Sequence, residues 1–298
     1  MRATPVILRQ CGQCLPARVT NDTSNAYLAV ADMKERIKDY VKLVVSLFYF
    51  LLFRLPYRLI ARPAVLPVFN YHGVEADEAP RLRRQLDFLR RRWGFVTLEE
   101  VLPALEGGPV AAGTAHLCFD DALRSAAEHA IPVLRELGIP CTILVPTSLV
   151  GGRMPPPGPP DAIMDWETIL ALEGPAVRFE SHTANHRFLT DLSPEERRRE
   201  MEHSRKELAE KLGREVVCVC YPVGDCNEDV KRAARECGYR VGLSTINHTD
   251  RSSDPFDVRR LLLRPSFSLL EVWLIAKGGY NWLARLAAFR RWRKGRSK

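Results

Sequence analysis

The sequence predicts an α/β fold built on a parallel sheet. Three observations carry this: eight short β-rich runs, five helical patterns set between them, and a 298-residue chain whose 46% apolar content supplies a sizeable core. Strands that alternate with helices form parallel sheets with helical cover. Closed on itself, such a sheet becomes a barrel with its chemistry at the carboxyl ends of the strands.

In chain order, the strands are expected at 65–71, 94–98, 115–119, 140–145, 176–180, 216–221, 239–244 and 258–263. Helical patterns fall at 80–92, 122–137, 166–172, 194–212 and 227–237, the fourth ending at Lys211-Leu212-Gly213. Residues 151–160, Gly-Gly-Arg-Met-Pro-Pro-Pro-Gly-Pro-Pro, fit neither helix nor strand. They read as a stiff surface loop on the catalytic side, placed to rim a substrate site.

Two strings dominate the chemistry. The apolar run His116-Leu-Cys-Phe-Asp120-Asp121 ends in two carboxylates, and Glu180-Ser-His182-Thr-Ala-Asn-His186 carries two imidazoles four residues apart. One carboxylate and two imidazoles can hold a divalent cation with a position left open for water. The spare carboxylate can then deprotonate the attacking water, which points to metal-assisted hydrolysis. Asp120, Asp121, His182, Tyr221 and His72 all fall just after an expected strand. His116, His129, His203 and His248 have no partner pattern and read as structural or exposed.

Four blocks in order, Leu66-Pro-Val-Phe-Asn-Tyr-His72-Gly73, Phe119-Asp-Asp-Ala122, Phe179-Glu-Ser-His-Thr-Ala-Asn-His186 and Cys220-Tyr-Pro-Val-Gly224, resemble the polysaccharide deacetylases. This is carbohydrate esterase family 4, the NodB homology domain, and the similarity covers residues 65 to about 265. The resemblance implies a distorted (β/α)7 barrel. It makes Asp120 the catalytic base and gives Asp121, His182 and His186 to a divalent metal ion, zinc being expected. It assigns the developing oxyanion to the backbone N–H of Tyr221, and places Trp166 and Pro222 at the sugar, plain packing being the other reading for Trp166.

The chain departs from the family pattern in three places. The glycine expected after the Asp pair is Ala122, tolerable only at negative φ. No arginine precedes Tyr221-Pro222 to orient the base, which leaves Arg264 as a candidate substitute. The late Leu-x-x-His block that carries the general acid is absent. Poly-N-acetylglucosamine deacetylases of this family carry a Tyr-His near their first strand, and Tyr71-His72 resembles it. His72 is therefore expected to protonate the leaving amine.

Charge sits at the two ends. Residues 1–64 carry a net +6 and residues 281–298 a net +7, which leaves −5 for the middle of a chain whose total is +8. A nucleic-acid enzyme would be expected to gather its basic surface around the catalytic cleft; here the basic ends adjoin apolar runs, so a membrane surface is the expected partner and nucleic acid is not. The uncharged run Leu43–Phe53 would rise about 17 Å as a helix, against roughly 30 Å of hydrocarbon. A short span, a re-entrant segment and an interfacial helix all remain open, with an anchor preferred to a cleaved signal. Trp282, Leu283, Leu286 and Phe289 share one helical face opposite Arg285, Arg291, Arg293 and Lys294, the pattern of a basic amphipathic tail.

The domain plan is thus 1–64, a disordered tail plus apolar segment; 65–265, the catalytic domain; and 266–298, the basic tail. The eight cysteines form no disulfide framework, and Cys118, Cys141, Cys218 and Cys220 read as small core hydrophobes. The expected function is removal of the N-acetyl group from amino sugars of a polysaccharide or lipid-linked glycan by a membrane-associated, metal-dependent hydrolase, the face of the membrane being open. The alternative is a catalytically silent carbohydrate-binding or scaffold protein on the same fold.

Overall fold

The computed structural model describes residues 37–61, 66–155, 161–245, 249 and 252–283. Residues 1–36, which include the expected disordered tail over the first 32, the Pro-rich stretch 156–160, His248 and the basic tail from 284 onward lie outside the described residues. The chain divides into two compact units, Met1–Val45 and Ser46–Lys298. Of the first, residues 37–45 are described, and they are helical.

The second unit is built on strands β1 (Val68–Tyr71), β2 (Gly94–Phe95), β3 (Thr114–Phe119), β4 (Cys141–Val145), β5 (Val177–Ser181), β6 (Cys218–Cys220), β7 (Val241–Ser244), β8 (Val258–Arg259) and β9 (Leu261–Leu262). All their pairings are parallel, in the order β8-β7-β6-β5-β4-β3-β1-β9, with β2 added on β3. The two ends of that path are consecutive in sequence and separated only by Arg260. One run therefore leaves β7 and arrives on β1, and this nearly closes a (β/α)7 barrel. β1, β4, β6 and β7 are buried along their whole length, which is why they read as continuous apolar runs.

Local chemistry explains where the elements differ from the sequence expectation. The strand expected over 94–98 stops at Phe95 because Thr97 caps a helix, Leu98–Leu105, in a reciprocal capping box with Glu100. The helix expected from 122 begins only at Arg124, because Asp121 and Ala122 take left-handed backbone. It passes through a π-turn, Ala126–Ala130, before Ile131–Leu137; Pro132 in the following turn has no N–H to give the preceding turn.

The folded unit extends beyond the expected 65–265 at both ends. Helix Leu269–Lys277 buries Val272, Leu274 and Ile275, and Trp273 meets Phe50 edge-on at 4.7 Å. Trp282 Nε1 donates to Ser46 Oγ at 2.9 Å, and Arg54 Nη2 donates to Thr249 Oγ1 at 3.0 Å. The apolar N-terminal run thus has a core to enter on one face, while Phe48, Leu52 and Phe53 remain more than 60% exposed. The continuous segment Ile37–Tyr57 has 21 residues, a mean hydropathy of 1.4 and 17% burial, and it is long and apolar enough to cross a bilayer.

One buried carboxylate holds the barrel where its ladder is thinnest. β5 and β6 share a single register pair, Ser181 with Val219. Glu180, 1% exposed, bridges the gap: Arg214 Nη1 donates to Oε1 at 2.8 Å, and Val217 N and Cys218 N donate to Oε2 at 2.9 and 2.7 Å. Removing that acceptor leaves the Val217 and Cys218 N–H groups without a partner and Arg214 with Glu173 as its one remaining carboxylate among the described residues, two residues upstream of His182. Glu180→Ala should lower unfolding free energy by about 2–4 kcal/mol, measured by urea denaturation. A loss below about 1 kcal/mol would show that the bridge is solvated and dispensable.

Candidate active site

The strand ends deliver the site. β3 ends directly before Asp120 and Asp121, β1 before His72, β5 before His182 and β6 before Tyr221, while Arg260 occupies the break between β8 and β9. Ladder hydrogen bonds continue up to the site: Asp120 N donates to Tyr71 O and His182 N to Val145 O, both at 2.9 Å. The backbone then turns sharply. Asp121, Ala122, Thr183, His186 and Val223 all have φ between +47° and +69°. Each costs on the order of 1–2 kcal/mol and persists only where its surroundings hold it. Ala122 at φ +47° corrects the expectation of negative φ: the methyl is accepted together with its strain.

Asp121, His182 and His186 converge. Nε2 of His182 and Nε2 of His186 lie 3.4 and 3.5 Å from Asp121 Oδ1, and the two rings meet edge to face at 4.7 Å. His182 Nδ1 donates to Cys220 O at 2.9 Å, which leaves the Nε2 lone pair aimed at the carboxylate. Asp121 Oδ1 is buried and has no hydrogen-bond partner among the described residues. Three potential ligand atoms therefore face one another without the geometry of a hydrogen bond. That donor set suits a divalent cation.

The loop carrying the imidazoles is clamped from outside. Glu200, on helix Pro194–Leu212, accepts from Asn185 N at 2.7 Å and from Asn185 Nδ2 at 3.0 Å, and its own carbonyl accepts from Ala184 N at 3.0 Å. His186 N donates to Thr183 Oγ1 at 3.2 Å. Nothing in the local sequence singled out Glu200, because its partner lies 15 residues away.

Asp120 faces a different set of groups. Arg260, fully buried, donates through Nη1 to Oδ1 at 2.6 Å and through Nη2 to Oδ2 at 2.9 Å, and Asn70 Nδ2 donates to Oδ2 at 3.0 Å. His72 Nε2 stands 3.8 Å from Oδ2. Burial alone would raise the Asp120 carboxyl; Arg260, with His182 and His72, more than offsets it and holds it well below the usual carboxylate range. A second possible donor set, Asp120 with His182 and Cys220, already contains the Arg260 guanidinium, whose Nη2 is 2.9 Å from Cys220 Sγ. A metal cation there would face an arginine.

Three expectations change. The arginine absent before Tyr221 is supplied by Arg260 from the neighbouring strand run, reaching past the small Cys220 that stands in the vacated position. Arg264 is exposed, beyond the end of β9. Tyr221 N–H cannot serve an oxyanion because it donates to Leu243 O at 3.0 Å in the sheet, and the Tyr221 ring is buried with its hydroxyl on Phe256 O. Pro222 is buried in the turn that follows and has no N–H. Trp166 starts helix Trp166–Leu172, with the Lys211 ammonium 5.7 Å from its ring centroid. His116 is an interior residue between Val96 O and Thr142 Oγ1.

Residues 107–242 match the sequence model of the polysaccharide deacetylase family. YxkH of Bacillus subtilis (strain 168), assigned by name to the polysaccharide deacetylases, is 25% identical over 215 residues, 70% of this chain and 74% of that one. Two solved structures share the fold. The Streptococcus pyogenes deacetylase PplD, in complex with acetate, aligns with a TM-score of 0.62 at 23% identity over 72% of this chain and 99% of its own. IcaB from Ammonifex degensii aligns with a TM-score of 0.62 at 23% identity over 71% and 97%. Over residues 107–242 the chain is similar to the polysaccharide deacetylase family, and the barrel presents the matching blocks at its strand ends.

Proposed function

We propose that the protein is a membrane-associated, metal-dependent N-deacetylase acting on an N-acetylated amino sugar of a polysaccharide or lipid-linked glycan. The observation that carries this reading is the division of labour between adjacent carboxylates: Asp121 faces two imidazole nitrogens, while Asp120 is held by Arg260 and Asn70. A silent scaffold has no use for a buried carboxylate oxygen left without a donor. Asp121, His182 and His186 would hold the cation, and two imidazoles with one carboxylate favour zinc. When bound, the cation would supply Lewis acidity toward the acetamide carbonyl and the attacking water.

The chain's own groups account for the proton movements. Asp120, kept ionised by Arg260, accepts a proton from the water as its oxygen bonds to the carbonyl carbon. With Tyr221 N–H occupied and Pro222 lacking one, the next backbone donor after β6 is Val223 N–H, set in a left-handed turn and without an acceptor among the described residues. We assign it to the developing oxyanion. His72, half-exposed and 3.8 Å from Asp120, then gives a proton to the amine nitrogen as the C–N bond breaks, releasing acetate and the free amino sugar. The exposed apolar segment around Phe48, Leu52 and Phe53 supports membrane attachment.

Acetate release from chitooligosaccharides and from a lipid-linked N-acetylated sugar, with and without chelator, tests the reading. Asp121→Ala, His182→Ala and His186→Ala should each lose bound metal and activity, whereas Asp120→Asn should keep the metal and lose turnover. Metal loss in Asp120→Asn but not in Asp121→Asn would reverse the two roles. His72→Ala should fall about 100-fold to 10,000-fold in kcat with metal content unchanged; near-full activity would remove it from the mechanism.

Arg260→Met tests the base. Asp120 has a depressed pKa in the folded state, so the pair's stabilisation is fully present above the ordinary carboxylate pKa of about 3.9 and is lost as pH falls through the lower folded value. At neutral pH the substitution should therefore cost about 3–5 kcal/mol, because a buried carboxylate loses its cation. Burial remains and raises the Asp120 pKa, so the acid limb of the kcat/KM profile should move to higher pH. An unmoved acid limb would show that Arg260 does not govern the base.

A further inference from the structure

Outside the active site, a dense cluster of unpaired positive charge lies along one flank of the barrel. Helix Ala79–Arg90 buries Leu82, Gln85, Leu86 and Leu89. Arg81, Arg84, Phe88 and Arg91 recur at i, i+3, i+7 and i+10 and form one outward stripe, its three arginines exposed. Arg83 and Arg90 are paired, with Glu136 and with Asp87. Arg81, Arg84 and Arg91 have no carboxylate partner among the described residues.

The stripe borders two adjoining clefts. One, of about 270 Å³, is lined by Arg81, Arg84, Gln85 and Leu269; the other, of about 580 Å³, by Arg84, Arg91, Arg92 and Leu269. The acid in the second, Asp87, is engaged by Arg90 at 2.8 Å. Gln85 accepts from the hydroxyl of Tyr71, the residue before His72, so the first cleft lies beside the barrel mouth. Leu269 and Leu270, 41% and 46% exposed, begin the helix whose Trp273 packs on Phe50. Directly after Phe50, Leu51, Leu52 and Phe53 are exposed in turn. Apolar side chains thus sit next to unpaired arginines on one folded unit.

We propose that this flank docks the domain on the anionic phospholipid headgroups of a bilayer. Arg81, Arg84 and Arg91 meet the phosphates, and Leu269 and Leu270, with the exposed side of the apolar helix, enter the acyl boundary. A polyanion in water would match the arginines but would leave the leucines without a partner; the interface of a bilayer satisfies both. The inference rests on the membrane attachment proposed above and adds to it the surface, the lipid class and the presentation of the barrel mouth to the membrane.

The test is vesicle co-sedimentation of the full chain at about 0.1 M salt, on pure phosphatidylcholine and on phosphatidylcholine with phosphatidylglycerol. Three proteins are compared: wild type, Arg81→Gln/Arg84→Gln/Arg91→Gln, and a control, Arg199→Gln/Lys206→Gln/Arg232→Gln, that removes the same charge elsewhere. Thermal unfolding verifies that all three are folded. Each arginine at an anionic surface is worth about fivefold in partitioning. The flank variant should lose about 10-fold to 100-fold of its affinity for phosphatidylglycerol vesicles, with binding to phosphatidylcholine unchanged and the control near wild type. Equal losses in both variants, or none in either, overturn the proposal. Wild type that binds both vesicles alike but is retained by polyglutamate through these arginines also overturns it, and leaves membrane attachment standing. Failure of wild type to bind either vesicle removes membrane attachment itself, and the proposal with it.

Discussion

The Asp120–Arg260 pair is the interaction on which the rest of the site depends. It joins β3, which delivers both carboxylates, to the run that closes the barrel between β7 and β1. Taking two charges out of water is costly, and such a pair contributes little net stability compared with an apolar substitute. Its value lies in orientation and charge state. Both oxygens of Asp120 are spoken for by Arg260 and one of them also by Asn70, so this carboxylate is fixed and ionised, while Asp121 stands against the two imidazoles. Two neighbouring aspartates thereby acquire different chemistry from their surroundings alone.

The same arrangement explains why a cysteine can stand before Tyr221. Arg260 enters from the adjacent strand run and places Nη2 2.9 Å from Cys220 Sγ, a position that a larger side chain on β6 would fill. An arginine on β6 and an arginine in the closing strand are alternative ways of delivering one guanidinium to one carboxylate. The break of β8 and β9 at Arg260 belongs to this exchange. There the chain changes partners from β7 to β1, and the residue at the change points into the barrel.

Much of this was legible in the sequence, for definite reasons. All eight expected strands exist, and β1, β4, β6 and β7 were legible because a barrel strand buried on both faces leaves an apolar run bounded by turns. The metal-ligand candidates were legible because they sit in short strings at strand ends. Arg260 was not: it lies in the expected strand 258–263 with Arg259 and Arg264 close by, and only the three-dimensional path shows which of them turns inward. Tyr221 misled because its motif fixes a neighbourhood and not a donor; the ladder bond to Leu243 takes its N–H and passes the opportunity to Val223. The left-handed backbone of Ala122 was hidden because alanine carries no signal for positive φ.

The central claim is that the cation belongs to Asp121, His182 and His186 while Asp120 stays with Arg260. Crystals grown with zinc, with anomalous data collected on both sides of the zinc edge, test it most directly. The account predicts one peak within about 2.0–2.2 Å of a carboxylate oxygen of Asp121 and of Nε2 of both histidines, with Asp120 still bidentate on Arg260. A peak bonded to Asp120, or one shared by Asp120, His182 and Cys220 with Arg260 displaced, would contradict it.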